Sequence, residues 1–173
     1  MVDLGCAPGS WLQYLSERVG PKGLVVGVDL SEIRLSLPET VRVLQEDIFR
    51  LDPARLLAFA PRYDALLSDA APKTTGVAFA DSALSVELAR RTLEIARAVV
   101  APGGVWLCKV FQGEDLAGLK KEARPLFRRF TVEKPKGSRD RSVELFLVGA
   151  GLRGEGGDAD GEGTAKEDGP VSR

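Results

Sequence analysis

The stretch Val2-Asp3-Leu4-Gly5-Cys6-Ala7-Pro8-Gly9-Ser10-Trp11 decides how the rest of the chain is read. Residues 2–4 have the look of a strand end, residues 5–9 form a turn rich in glycine and proline, and Trp11 opens a run with helical spacing. A glycine-rich turn from strand to helix lets the backbone approach a nucleotide-like ligand closely and aims free N–H groups at it. Working outward, apolar runs bounded by turn residues alternate with longer amphipathic stretches. That is the rhythm of an open α/β sheet.

The pattern predicts a helix over 11–19, closed by Gly20-Pro21-Lys22-Gly23, and a buried strand over 24–29 that ends in an acid. A short strand over 41–44 ends near Asp47, a short helix covers 53–60, and a strand over 63–68 exits through Asp69-Ala70-Ala71-Pro72. An amphipathic helix over 81–100 carries Leu84, Leu88, Leu93, Ala96 and Val100, and Pro102-Gly103-Gly104 is expected to stop it. A strand over 104–111 places Lys109 near its end, and a helix follows over 116–127. The last strands, 129–133 and 142–149, are expected to pair as an antiparallel hairpin, because the loop 134–141 between them is too polar to bury. The expected organisation is one domain over 1–151 followed by an acidic tail over 152–173. That tail has no apolar period and cannot offset its ordering entropy, so it is expected to be disordered.

Composition narrows the chemistry. The chain has 173 residues, 44% of them hydrophobic, enough for one domain with a true core. It has no histidine, which excludes Ser-His-Asp triads, histidine metal sites and imidazole acid–base chemistry. Proton transfer falls to Lys, Asp, Glu, Tyr or Cys. Cys6 and Cys108 lie in apolar surroundings without metal-ligand spacing, so packing roles in a reducing compartment are expected and no metal is. No apolar run is long enough to span a bilayer and no signal peptide is evident, so the expectation is a cytoplasmic chain, monomeric and without a membrane partner. The net charge of −1 hides an acidic C-terminal end and a basic segment over 120–141. That segment suits either a phosphate backbone or a solvated face.

Open α/β sheets bind ligands at the carboxyl ends of their strands. Those ends hold the Gly5-to-Trp11 turn, Asp29, Asp47, Asp69 and Lys109. Asp29 follows Gly9 by about 20 residues, a spacing at which a carboxylate can accept both hydroxyls of an adenosine ribose. Ala7 and Ser10 stand where a dinucleotide fingerprint wants glycine, so a pyrophosphate is poorly served. A cofactor without phosphates, such as S-adenosylmethionine, asks less of the turn. Taken singly, Trp11 also reads as core packing, Asp69 as a turn cap, Glu144 as the outer side of a strand and Lys109 as a solvated rim residue.

Four runs change that balance: Asp3-Leu4-Gly5-Cys6-Ala7-Pro8-Gly9-Ser10-Trp11, Ser68-Asp69-Ala70-Ala71-Pro72, Lys109-Val110-Phe111-Gln112-Gly113-Glu114 and Ser138-Arg139-Asp140-Arg141-Ser142-Val143-Glu144. In this order they resemble the FtsJ-type ribosomal RNA 2′-O-methyltransferases, the RlmE family, over residues 2–150. The resemblance implies a class I methyltransferase fold: a mostly parallel, Rossmann-like seven-stranded sheet. It further implies S-adenosylmethionine as methyl donor and a ribose 2′-hydroxyl, on a uridine of 23S ribosomal RNA in the large subunit, as acceptor. It points to Gly9, Trp11, Asp29, Asp47 and Asp69 as cofactor contacts, with Gly5 in the same turn, and to Lys109 as base with Asp69 and Glu144 beside it. The family's catalytic set is Lys-Asp-Lys-Glu, whose first Lys lies in a helix ahead of the cofactor turn and has no counterpart here. The alternative expectation is therefore a catalytically impaired RNA- or cofactor-binding remnant, with Lys73 a candidate to replace part of the missing charge near Asp69. A dehydrogenase is disfavoured by the turn. No aromatic follows Asp69 where an enzyme methylating a base amino group would stack its target, which favours ribose over base.

Overall fold

Val2, Asp3 and Leu4 are buried because the strand they form, β1 (Val2–Leu4), pairs in parallel with a strand on each side. The computed structural model describes residues 1–135 and 143–154. The remaining elements are α1 (Ser10–Val19), β2 (Val25–Asp29), β3 (Val41–Gln45), α2 (Pro53–Leu57), β4 (Tyr63–Ser68), α3 (Ala78–Val99), β5 (Val100–Phe111), α4 (Leu116–Ala123), β6 (Phe127–Glu133) and β7 (Glu144–Leu152). The sheet runs β3-β2-β1-β4-β5-β7-β6. Strands β1 to β5 pair in parallel, and β7 alone runs against its neighbours, lying between β5 and β6. The α/β fold and the antiparallel pairing of the last two strands are as the sequence predicts.

One face of the sheet is sealed by α3. Its buried Ala89, Leu93, Ala96 and Val99 belong to the same cluster as Trp106, Cys108 and Val110, which alternate along β5 as a strand's buried face must. Thr92 joins the two layers by accepting a hydrogen bond from Trp106 Nε1 at 3.1 Å. A smaller cluster of Cys6, Leu12, Leu15, Val25 and Val41 packs α1 onto the strands nearby. Among the described residues no helix is long and apolar enough to cross a membrane.

Several boundaries differ from the sequence pattern, each for a local reason. The Pro102-Gly103-Gly104 run does not stop a helix. It lies inside β5, where the register slips between Tyr63↔Val100 and Ala65↔Val105 and Gly103 takes φ +84°. A proline without an N–H and a left-handed glycine are at home in such an irregularity. Helix α3 begins at Ala78 rather than at 81: Val77 stands at its N-cap, and the Asp81 carboxylate in the first turn ties down Thr75 and Gly76 of the entering chain. Helix α4 ends at Ala123, not 127: Pro125 tightens the chain into a 3-10 turn over Arg124–Leu126. Phe127 then opens β6 and stacks on Trp106, ring centroids 6.0 Å apart. Helix α2 stops at Leu57, three residues short of the expected end, after Asp52 has capped its start by accepting from Ala54 N at 2.9 Å. Strand β7 runs to Leu152, so the expected boundary at 151 falls inside it. The rest of the expected tail, from 155, and the run 136–142 with Ser138, Arg139, Asp140 and Arg141 lie outside the described residues.

Candidate active site

The first turn folds as it does because Gly5 and Cys6 both donate backbone hydrogen bonds to Val28 O, at 2.8 and 3.3 Å. This hooks the exit of β1 over β2. Gly5 takes φ +81°, and a side-chain carbon there would stand 2.6 Å from Ala70 Cα, so only glycine lets this backbone and the loop after β4 approach each other. Asp29, at the end of β2, accepts from Ala7 N at 2.9 Å and from Ser31 N at 2.8 Å, which holds its carboxylate against the turn. Asp47 accepts from Phe49 N at 3.0 Å in the turn after β3.

These strand ends frame a cleft of about 500 Å³ lined by Gly5, Ala7, Asp29, Leu30, Glu46, Asp47, Ile48, Phe49, Asp69, Ala70, Ala71, Pro72, Lys73, Leu84 and Leu88. Four of the six residues expected at a cofactor site, Gly5, Asp29, Asp47 and Asp69, are brought together there. Gly9 and Trp11 are not. Gly9 takes φ +115° at the start of α1, where an added side chain would press on Leu35 Cδ1 at 2.9 Å, so its requirement is conformational. Trp11 is half-buried against the Cys6 cluster and shares a surface hollow with Ser10 and Tyr14. Lys73 is exposed on the rim of the cleft.

A second cavity of about 540 Å³ lies beside the first, lined by Thr74, Gly76, Ala78, Asp81, Ser82, Phe111, Gln112, Val143 and Glu144. The loop leaving β4 separates the two: its residues 70–73 face the first cleft, while Thr74, Gly76 and Ala78 face the second. Asp69 and Lys109 meet next to this partition, with Lys109 Nζ 2.9 Å from Asp69 Oδ1. The lysine side chain is only 13% exposed and the aspartate 38%, so the pair sits at the mouth of the fold rather than on open surface. Glu144 pairs in register with Phe111, and Lys109 with Phe146, which puts Glu144 diagonally across from Lys109 on the same face of the sheet.

Asp3 was not singled out by the sequence pattern, yet it is the most perturbed carboxyl here. It is 1% exposed, and its Oδ2 has no hydrogen-bond partner among the described residues. Burial, then the negative charges of Asp69 and Asp29, push it up to about 7. The signal available in the sequence was an acid between Val2 and Leu4 in a strand too short to expose it. Burial also pushes the thiols of Cys6 and Cys108 up to about 12, so neither supplies a thiolate.

The electrostatics choose among nucleotide-like ligands. Asp29, Glu46, Asp47 and Asp69 line the cleft, with Asp3 buried close by. A diphosphate would face these carboxylates unfavourably, and a ligand carrying positive charge is favoured. Ile48, Phe49 and Leu88 add apolar wall for a planar base, and the Asp29 carboxylate, held by Ala7 N and Ser31 N, lines the same cleft. The residues present thus fit a cationic nucleoside.

Comparison with known proteins agrees with this geometry. The profile of the FtsJ-like methyltransferase family matches residues 1–152. The Ribosomal RNA large subunit methyltransferase E of Syntrophobacter fumaroxidans is 44% identical over 154 residues, which cover 88% of this chain and 78% of that protein. Its counterpart in Desulfosudis oleivorans is 40% identical over 149 residues, covering 86% and 72%. A crystal structure of a Plasmodium falciparum protein, provisionally described as a ribosomal RNA methyltransferase, superposes with a TM-score of 0.77 at 26% identity, covering 88% of this chain and 86% of the other. With the profile running from the first strand to the last, the chain belongs to the FtsJ-like methyltransferase family.

Proposed function

We propose that this chain transfers the methyl group of S-adenosylmethionine to a ribose 2′-hydroxyl of 23S ribosomal RNA, on a uridine, in the large ribosomal subunit. Relatives named Ribosomal RNA large subunit methyltransferase E support the RNA class. The single observation that carries the reaction is the Lys109–Asp69 pair at 2.9 Å, beside the loop that parts a carboxylate-lined nucleoside cleft from a second cavity.

When bound, S-adenosylmethionine supplies an electrophilic methyl on a sulfonium, along with a positively charged amino group. Asp29 and Asp47 would hold the nucleoside portion, with Asp69, on the same cleft and paired with Lys109, toward the reacting end. The acceptor hydroxyl is a weak nucleophile: its attack on the methyl carbon would break the carbon–sulfur bond, and its proton must leave. In a chain without histidine, Lys109 receives that proton on Nζ. Its ion pair with Asp69 fixes the amine in place as an ammonium; to act as base Lys109 must first lose a proton to solvent, and positive charge arriving beside Asp69 weakens the ion pair and so favours that loss. Glu144, diagonally opposite, bounds the acceptor side. A rigid base at the junction of two cavities contributes through both proton transfer and orientation.

The test is transfer from S-adenosylmethionine with a tritiated methyl group to undermethylated large subunits, followed by alkaline hydrolysis. A ribose 2′-O-methyl group blocks cleavage at its own position, so label in alkali-resistant dinucleotides is the expected result. Label released in mononucleotides, or cofactor binding without transfer, contradicts the proposal.

A further inference from the structure

Helix α3 reaches both cavities. At its N-terminal end the Asp81 carboxylate accepts from Thr75 N at 2.6 Å, from Thr75 Oγ1 at 2.8 Å and from Gly76 N at 3.2 Å. Those residues belong to the loop that separates the two cavities, and Asp81 itself lines the second. The bonds to the charged form hold its carboxyl below the usual carboxylate range. Ten residues on, about 15 Å along the helix axis, Arg91 holds a different wall. Its Nε donates to Ile48 O at 3.3 Å and its Nη2 to Leu51 O at 2.7 Å, while Nη1 pairs with Glu94 at 2.9 Å. The carbonyls belong to the turn after β3, which also folds on itself through Asp47 O and presents Asp47, Ile48 and Phe49 to the cofactor cleft.

Loops are where a fold opens first, and binding residues carried on loops need an external anchor to hold their geometry. Both anchors here are charged groups that satisfy two or more backbone groups at once. A guanidinium fork serves two carbonyls from separate nitrogens in fixed geometry, where a lysine offers a single rotating ammonium. Neither residue is placed where it must touch a reacting atom.

We infer that α3 is a strut with two independent clamps: Asp81 positions the partition loop, and so the acceptor side, while Arg91 positions the cofactor wall. The assignment of sides rests on the function proposed above. Neither clamp belongs to the set of site residues that the motifs single out, and both are positioning residues.

The experiment uses the full chain and four variants: Asp81→Asn, Thr75→Val, Arg91→Lys and Glu94→Gln. S-adenosylhomocysteine is the binding probe, read by calorimetry. Amide hydrogen exchange at residues 75 and 76 reports the partition loop, and KM for undermethylated subunits reports the acceptor side. Arg91→Lys is expected to weaken the probe about tenfold and to leave exchange at 75 and 76 unchanged. Asp81→Asn is expected to speed that exchange about tenfold and to raise KM for the subunits, with probe affinity within about twofold of the parent. Thr75→Val, which removes the hydroxyl's bonds to Asp81 and from Val77 N but keeps both backbone bonds to Asp81, should shift exchange and KM in the same direction by less, and serves if Asp81→Asn fails to fold. Glu94→Gln leaves both carbonyl bonds in place and should leave probe affinity unchanged. Probe affinity falling equally in the Asp81 and Arg91 variants, or staying constant in Arg91→Lys, overturns the inference. Failure of the parent chain to bind the probe at all would instead count against the proposed cofactor.

Discussion

Lys109 and Asp69 meet because β4 and β5 are parallel neighbours whose carboxyl ends finish side by side, so residues far apart in sequence share one edge. Replacing Lys109 by Met keeps the stem and removes the amine. The expected loss is about 10²- to 10⁴-fold in single-turnover methyl transfer, with the affinity for S-adenosylhomocysteine little changed. Asp3 gives a prediction about stability. Its ordinary value is 3.8, and in the fold it rises to about 7, mainly by burial. Between those values the unfolded chain releases the proton and the folded chain keeps it, so the folded state loses stability as pH rises. The loss is complete above the folded value, and the full shift corresponds to roughly 4 kcal/mol at most. In ligand-free urea titrations the Asp3→Asn variant should therefore gain on the parent progressively from about pH 5 to about pH 8. A constant difference across that range would count against a buried, protonated Asp3. Asp29, Asp47 and Asp69 were legible in the sequence because each stands where an apolar strand gives way to a turn. Asp3 was not, since a single acid inside a short strand gives no periodic signal. Gly9 and Trp11 belong to the opening turn and were named as cofactor contacts by the resemblance; in the structure they stand at the start of α1, outside the residues that line the cleft.

At the scale of elements, what the sequence made legible was alternation: β1 to β5 and the helices between them fall close to where apolar periodicity puts them. What it hid was punctuation read in the wrong context. Pro102-Gly103-Gly104 has the composition of a helix stop, but α3 passes into β5 without a loop, and the three residues sit in a strand irregularity. The pairing of the final hairpin was legible from its polar connection. The insertion of β7 between β5 and β6 was not, because no local pattern encodes which neighbour a strand takes. Here packing decides: Phe127 lies over Gly149, where an added side-chain carbon would stand 2.5 Å from the ring, and on Trp106 of β5. Gly149→Ala should accordingly cost about 1–3 kcal/mol by overpacking, seen as a lower urea midpoint with an unchanged slope. Affinity for S-adenosylhomocysteine should be unaffected, since Gly149 lies away from the cleft. A variant as stable as the parent would show that this junction is looser than the contacts indicate.

For the molecule as a whole, the sheet order gathers the exits of β1, β2, β3 and β4 around one carboxylate-lined cleft, and the exit of β5 opens onto a second cavity beside it. The four carboxylates of the first cleft disfavour a diphosphate, and the loop from Asp69 to α3 keeps the two spaces adjacent but distinct. Weak binding of NAD beside strong binding of S-adenosylmethionine in parallel calorimetric titrations is the expected consequence, and comparable affinities would contradict the electrostatic argument. In the proposed reaction Lys109, held by Asp69, takes the proton of a ribose hydroxyl as that hydroxyl is methylated. Nucleoside mass spectrometry of ribosomal RNA from undermethylated large subunits, after incubation with S-adenosylmethionine and either the parent chain or Lys109→Met, tests it most directly. One new 2′-O-methylated uridine is expected with the parent and none above background with the variant. A methyl group on a base, or equal 2′-O-methylation by both chains, would contradict it.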